Sequence, residues 1–414
     1  MGRISLLLTV ALLGCCALTG CSSDEPSFGD PLPPNPVRLD STPAIQTTGL
    51  TIGILMGPHH GPGSEYRGPA HGAQVAAYRF AQGGLTINFK VVVDNGTSQG
   101  ALTSMQELID SKVEGIIVAG EGPHLTEALL LAERTKTPTL LPFDYINSVS
   151  APVYHLGPDR ASLATAMEML TIRTEMADPV VITQDGYAVL DNWEQDIAFT
   201  GDPKQTAQAV VASINDRTAD SVIIQASATN QATIVNEIQG LTGFQQFPIL
   251  LTPQALTSSF SHNVGLAADL KGVLVTAGQR TQDNLALQSG DQAEAISTFL
   301  QALRMTVDSH QPGLLGEEGS TQALIESDVR AHDAVVVLVR AAEQARADKK
   351  LTLASALENL ALTTDDGIVC DTLDFTTQNM LYPRFVTPLY ASSQDTGLRP
   401  LPQGQTTPLA WLSL

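Results

Sequence analysis

The alternation that starts at Leu50 is what most constrains the fold of this chain. Leu50-Thr-Ile-Gly-Ile-Leu-Met56 is short and almost wholly apolar, the pattern of a strand buried on both faces. The stretch 57–68, opening Gly-Pro-His-His-Gly-Pro-Gly, can continue neither a strand nor a helix. Over 69–80, Ala70, Ala73, Val75, Ala76, Ala77 and Phe80 recur at roughly helical spacing among Gln74 and Arg79. Strand, loop and helix make the first β-α unit of a parallel sheet, in which ligands sit at the carboxyl ends of the strands. The loop carrying His59, His60, Ser64, Glu65 and Tyr66 is therefore the first candidate binding surface.

The alternation continues. Strands are expected at 86–93, 115–119, 138–141 and 153–156, with helices at 99–111 and 125–135. A second series follows: helices at 159–175, 205–215 and 231–241, and strands at 179–183, 197–200, 221–225, 248–252 and 272–276. Helices at 292–307, 321–346 and 353–359 come next, then an apolar run at 368–375 and a last strand at 384–390. Two such series predict an α/β fold of two doubly wound, Rossmann-like lobes. The connection 184–198 is too short for a crossover helix with its turns. Its Tyr187 and Trp193 have two readings, lining a cleft or filling the space of the missing helix.

The N-terminus reads as a processing signal. Arg3, an apolar run at 4–13 and Leu18-Thr19-Gly20-Cys21 resemble the leader and lipobox of bacterial lipoproteins. On that likeness residues 1–20 are a signal peptide and Cys21 carries lipid. Residues 21–48 form a flexible tether, and the protein works on the extracytoplasmic face of the cell membrane. Cys15 and Cys16 leave with the leader, so Cys370 alone remains, a small buried residue rather than a nucleophile. The formal charge of −21 repels nucleic acid and anionic lipid, so neither is expected as a partner. The Pro-rich tail 393–414 is expected to be loosely ordered.

With these elements in order, the chain resembles the type I periplasmic binding proteins, specifically the branched-chain amino-acid (leucine/isoleucine/valine) type of ABC-transporter solute-binding protein. The likeness rests on Gly57-Pro58 and Gly72-Ala73, on Val91-Val92-Val93-Asp94-Asn95, and on Gly115-Ile116-Ile117-Val118-Ala119-Gly120. Thr200-Gly201-Asp202-Pro203-Lys204 and Lys271-Gly272-Val273-Leu274-Val275-Thr276 extend it, over about residues 49–390. The resemblance implies a hinge of three segments, near Leu156, Thr276 and Asp366. It would join an N-terminal lobe, 49–156 plus 277–365, to a C-terminal lobe, 157–276 plus 366–392. A small solute would be held in the cleft between them and delivered to an ABC permease.

The family's ligand positions carry over to Glu121, Gly122 and His124 after the third strand, to Tyr145 and Asn147 after the fourth, and to Gln254 in the second lobe. Tyr66, Tyr187 and Ser227 complete the candidate set. Three departures matter: Pro123 has no N–H, Glu121 repels a carboxylate, and Gln254 stands where an acid would hold an ammonium. They set leucine binding against a different small polar solute, an amino acid or amide-like compound.

Nothing points to an enzyme, a cofactor or a metal. The chain has no Gly-x-Ser-x-Gly elbow, Walker lysine or dinucleotide fingerprint. His59, His60 and His71 lack the spacing of zinc ligands. The alternative to transport is a sensor or interaction lipoprotein whose cleft has degenerated.

Overall fold

The computed structural model describes residues 35–413 except 62, 192, 242–245, 265–269, 317–320, 378–379, 382, 395 and 400–408. The leader and Cys21 lie outside the described residues.

Leu50–Met56 forms β1, buried at every position but Thr51. It is central because it is apolar on both faces: β2 (Ile87–Val93) pairs on one side and β3 (Gly115–Ala119) on the other, both parallel. Adding β4 (Thr139–Leu141) and β5 (Val153–His155) completes a five-stranded parallel sheet of order β2-β1-β3-β4-β5. A second sheet of seven strands has the order β14-β13-β10-β9-β8-β6-β7. Its strands are β6 (Pro179–Thr183), β7 (Asp196–Ala198), β8 (Ser221–Gln225), β9 (Pro248–Leu251), β10 (Val273–Gln279), β13 (Val386–Ser392) and β14 (Ala410–Ser413). β6 to β10 pair in parallel, whereas β13 and β14 run antiparallel at one edge. A two-stranded ladder, β11 (Ala361–Leu362) with β12 (Leu373–Asp374), stands apart.

Helices cover both faces of each sheet. In chain order they are α1 (Pro43–Thr48), α2 (Arg67–Ala70), α3 (Gly72–Gln82), α4 (Ser98–Asp110), α5 (Thr126–Thr135), α6 (Arg160–Arg173) and α7 (Pro203–Asn215). Then come α8 (Ala228–Gly240), α9 (Ser258–Asn263), α10 (Asp291–Asp308), α11 (Thr321–Ile325), α12 (Val329–Ala347) and α13 (Leu353–Leu357). Asp159, Asp202, Ser227 and Asp328 each start a helix by accepting a backbone N–H with the side chain.

The two-residue period of the strands divides the cores. Val180, Ile182, Val222 and Ile224 face α7 and α8, while Val181 and Ile223 face α6. In the first half α3 and α12 pack on one face of the sheet, and α4 and α5 on the other. Each fully buried aliphatic side chain in these layers contributes roughly 1.5–3 kcal/mol of transfer free energy.

Several expectations need correction. Residues 37–48 are not tether: Val37, Leu39 and Ile45 are buried in the cores, and Arg79 Nε donates to the Val37 carbonyl at 2.9 Å. Three apolar residues spaced through a polar string suffice to dock it. The helix expected over 321–346 is broken between Ile325 and Val329, because Asp328 caps α12. The segments 368–377 and 380–381 belong with the first sheet: Ile368, Leu373, Phe375 and Leu381 join the core around Ile52 and Ile54. The chain thus crosses to the second sheet between Leu381 and Val386, not at Asp366. Likewise β10 runs through Thr276 to Gln279 before the chain leaves it. The described part of the tail is tied in. Arg399 forks onto Asp283 with contacts of 2.5 and 3.0 Å, and Trp411 in β14 is buried and donates to the Ala255 carbonyl.

Among its described residues the connection 184–198 holds no helix; its last three, Asp196–Ala198, are β7, an edge strand beside β6. Tyr187, Val189 and Leu190 are buried, and Trp193 packs on the same apolar cluster as Tyr145. Gln225 pins the loop by accepting from the Val189 and Leu190 amides, both at 2.7 Å. Cys370 is buried, and burial pushes its thiol well above the ordinary range.

Candidate functional site

Each parallel strand ends in a loop on the same side of its sheet, so the loops after β1, β3 and β4 of the first half converge. They bring Tyr66, Glu121 and the turn 143–147 together. Asp144 organises that turn. Its Oδ1 accepts the Ile146 and Asn147 amides, both at 3.0 Å, and its Oδ2 accepts Asn147 Nδ2 at 2.6 Å. The same Oδ2 takes the Gly122 amide at 3.4 Å, and Asn147 Nδ2 returns a bond to the Gly122 carbonyl at 3.0 Å. Gly122 has φ 122°, a left-handed backbone open to glycine. Tyr187 Oη and the His124 ring crowd the place a Cβ would take.

Glu121 is the centre of the site. It is only 2% exposed, yet its carboxylate has partners from both halves of the molecule. Tyr66 Oη donates to one oxygen. Gln254, from the turn after β9 in the second half, donates its Nε2 to the other at 2.6 Å. The Tyr66 ring is held by stacking on Phe143 at 5.2 Å. Arg330 lies 4.9 Å over the far partner Phe143 and forks onto Asp328 with bonds of 2.9 and 2.8 Å.

Burial pushes the Glu121 carboxyl well above the usual carboxylate range, and the charge of Asp144 pushes the same way; the Tyr66 and Gln254 bonds pull against them. Burial also raises Glu65, and raises the phenols of Tyr66, Tyr145 and Tyr187, each of which in turn feels Glu121.

Several polar atoms here are buried with no hydrogen-bond partner among the described residues: Glu65 Oε2, Tyr145 Oη and Gln254 Oε1. A protein interior seldom leaves such atoms unpaired, since each costs about 1–3 kcal/mol. All three belong to residues grouped around Glu121.

Of the nine expected ligand residues, Tyr66, Glu121, Gly122, Tyr145, Tyr187 and Gln254 are brought together. His124, Asn147 and Ser227 have other work. His124 Nε2 stands 3.1 Å from Asp94 Oδ2. The Asn147 amide is consumed by Gly122, Asp144 and Thr126. Ser227 caps α8, and its amide donates to Gln184 Oε1 at 3.0 Å. Sequence reasoning left two participants out of the set, Glu65 and Asp144. Both lie in loops it had singled out, and the usable signal was an acid immediately after a strand or beside a candidate aromatic.

Comparison with known proteins places this geometry in a fold. No protein-family model matches the chain, and no curated protein does. Solved structures do match. One is the branched-chain amino-acid substrate-binding protein LivJ of Streptococcus pneumoniae in complex with isoleucine. It is 15% identical with a TM-score of 0.61, over 88% of this chain and 100% of that one. The leucine-binding protein LivK of Thermotoga maritima is 17% identical at TM-score 0.57, over 87% and 98%. A solute-binding protein of a Rhodopseudomonas palustris ABC transporter, solved with benzoate, is 16% identical at TM-score 0.60, over 88% and 96%. A type I periplasmic binding protein from Bordetella pertussis also matches, at TM-score 0.62 and 14% identity over 88% and 100%. The chain therefore has the type I periplasmic-binding-protein fold.

Proposed function

We propose that the protein is an extracytoplasmic solute receptor that captures a small polar solute between its two α/β halves and delivers it to an ABC permease. The observation that carries this reading is the meeting of Glu121 and Gln254. The two lie 133 residues apart in sequence, each after a parallel strand of a different sheet, and are 2.6 Å apart in space. A solute entering there would be gripped from both sides, the arrangement a two-lobed binding protein uses to couple capture to closure. The two lobes are the layers around the first and second sheets. Their crossings follow β5, follow Gln279 and precede β13, and these three segments form the hinge. Isoleucine and benzoate in the matched structures agree with a small organic solute. The protein is anchored by lipid at Cys21, and no reaction is catalysed in the cleft.

One observation favours the second reading, a sensor or interaction lipoprotein without transport. Both oxygens of Glu121 already accept a hydrogen bond, from Tyr66 and from Gln254, as in a cleft that no longer needs a solute.

A thermal-shift screen against amino acids, amides, amines, sugars and aromatic acids separates the two. A solute at 100 times its Kd stabilises the folded state by about 2.7 kcal/mol, a clear rise in melting temperature. No response across the library contradicts the receptor reading. For the anchor, Cys21→Ser should move the protein from the membrane fraction to the soluble fraction, and an unchanged distribution refutes lipidation there.

A further inference from the structure

We propose that the solute is a cation: an ammonium or guanidinium group that displaces the Gln254 amide from Glu121. It is held by the carboxylates of Glu121 and Glu65, with Tyr145 Oη and Gln254 Oε1 completing its hydrogen bonds. The proposal rests on the receptor reading and names the chemistry of its ligand.

The inventory of donors and acceptors carries it. An anion needs uncommitted donors; the cationic and amide donors beside Glu121 are committed, and what stands free is the Tyr145 hydroxyl, which accepts as readily as it donates, with the Trp193 indole N–H on the same apolar cluster. Arg330 forks onto Asp328. His124 faces Asp94 at 3.1 Å, and Arg67 donates to the Gly57 carbonyl at 3.2 Å. The Gly122 amide goes to Asp144 and the Asn147 amide to Gly122 and Asp144. Pro123 has no N–H to give. Acceptors, by contrast, are in surplus: Glu65 Oε2 and Gln254 Oε1 are buried without a donor among the described residues. Glu65 is 6% exposed and Gln254 1%, so water is largely kept from both. An ammonium carries three donors and a guanidinium five, with no acceptor to leave unpaired.

The electrostatics agree. The groups facing Glu121 are Glu65 and Tyr66 after β1, Asp144 and Tyr145 after β4, Tyr187 after β6, and Gln254 after β9. Arg330 acts on Tyr145 from its bridge to Asp328, His124 acts on Glu65, and His155 Nδ1 stands 4.0 Å from Asp144 Oδ1, so the cations nearby serve other groups and none is among the main influences on Glu121. A cation supplies the missing charge. In the empty site burial and Asp144 favour the protonated Glu121; an arriving cation favours the carboxylate, so one proton leaves to solvent as the cation binds.

Isothermal titration of the purified protein tests this with butylamine and butylguanidine as probes, against isoleucine, benzoate and butyramide. The cations should bind with net proton release, read as a heat that changes with the ionisation enthalpy of the buffer. Their affinity should rise up to about tenfold per pH unit until Glu121 is ionised in the free protein. Glu121→Gln should weaken them about 30-fold or more, and Glu65→Gln should weaken them in the same direction should the first variant fold poorly. Binding of isoleucine, benzoate or butyramide without binding of the cations overturns the cation inference and leaves the receptor reading standing. Binding of none of the five overturns both.

Discussion

Replacing Tyr145 by phenylalanine separates a residue kept for binding from one kept for stability. The Tyr145 ring belongs to the apolar cluster of Leu163, Met167 and Val275, and its hydroxyl is buried with no partner among the described residues. Phenylalanine keeps the ring and its contacts and opens no cavity larger than the lost oxygen. An unpaired buried hydroxyl costs about 1–3 kcal/mol, so the unliganded Tyr145→Phe protein should be more stable by about 1 kcal/mol. Most core substitutions move the other way by a similar amount. With solute bound, the hydroxyl gains a hydrogen bond worth about 1 kcal/mol, which the variant lacks. Relief of the free state and loss in the bound state add, so affinity should fall by about 2 kcal/mol, roughly 30-fold. Urea unfolding followed by Trp193 and Trp411 fluorescence gives the first quantity, and titration of the same protein gives the second. A variant less stable than the parent by 1 kcal/mol, or one that binds unchanged, refutes the reasoning.

Three further outcomes are expected. Folded Glu121 keeps its proton at pH values where the unfolded chain has released it, so the folded state binds more protons there. Stability of the parent should therefore be greatest below the ordinary glutamate range and fall as pH rises through the raised folded value. Glu121→Gln should flatten that fall and be the more stable protein at pH 8, measured by urea unfolding across pH; a parent curve that rises with pH as the variant's does would count against it. Asp144→Ala leaves the amides of Ile146, Asn147 and Gly122 and the Asn147 side chain without their acceptor. It should cost about 3–5 kcal/mol, and a loss under about 1 kcal/mol in urea unfolding would mean the turn stands without it. Gly72→Ala puts a Cβ 2.0 Å from the Asp328 carbonyl oxygen and 3.0 Å from the His332 amide. It should force α3 from α12 at a cost of about 1–3 kcal/mol or more, whereas Gly240→Ala, in open space at the end of α8, should be neutral or stabilising by thermal melt.

Much of the fold was legible in the sequence for a plain reason. Strands buried on both faces read as apolar runs with sharp ends, and β3, β6 and β8 lie where those runs begin and end. The docking of residues 37–48 was not legible, because Val37 and Arg79 meet across 42 residues without any local pattern to mark it. The break before α12 left a trace, the N-cap Asp328, inside a run whose helical period continues past it. In the site, the loops could be located from the strands that precede them. Which loop residues face the gap could not, since short polar side chains after strands also cap helices and tie turns, as Ser227 and Asn147 do. Glu121 stood out as a misfit for a carboxylate ligand; its bond to Gln254 turns that misfit into the centre of the site.

On the proposed reading, binding and stability compete at this site. A raised carboxyl at Glu121 and orphaned atoms on Glu65, Tyr145 and Gln254 all weaken the unliganded protein. Each is relieved by a partner that fits, so the stabilisation withheld from the free state becomes affinity.

Hydrogen exchange with and without the tightest-binding compound of the five probes tests most directly whether a solute is held from both halves. The amides of 120–122, 124 and 144–147 in the first half and of 254–257 in the second should slow together, in the same titration and at the same midpoint. Protection confined to one half, or appearing only at a distance from Glu121, would contradict a solute gripped between them.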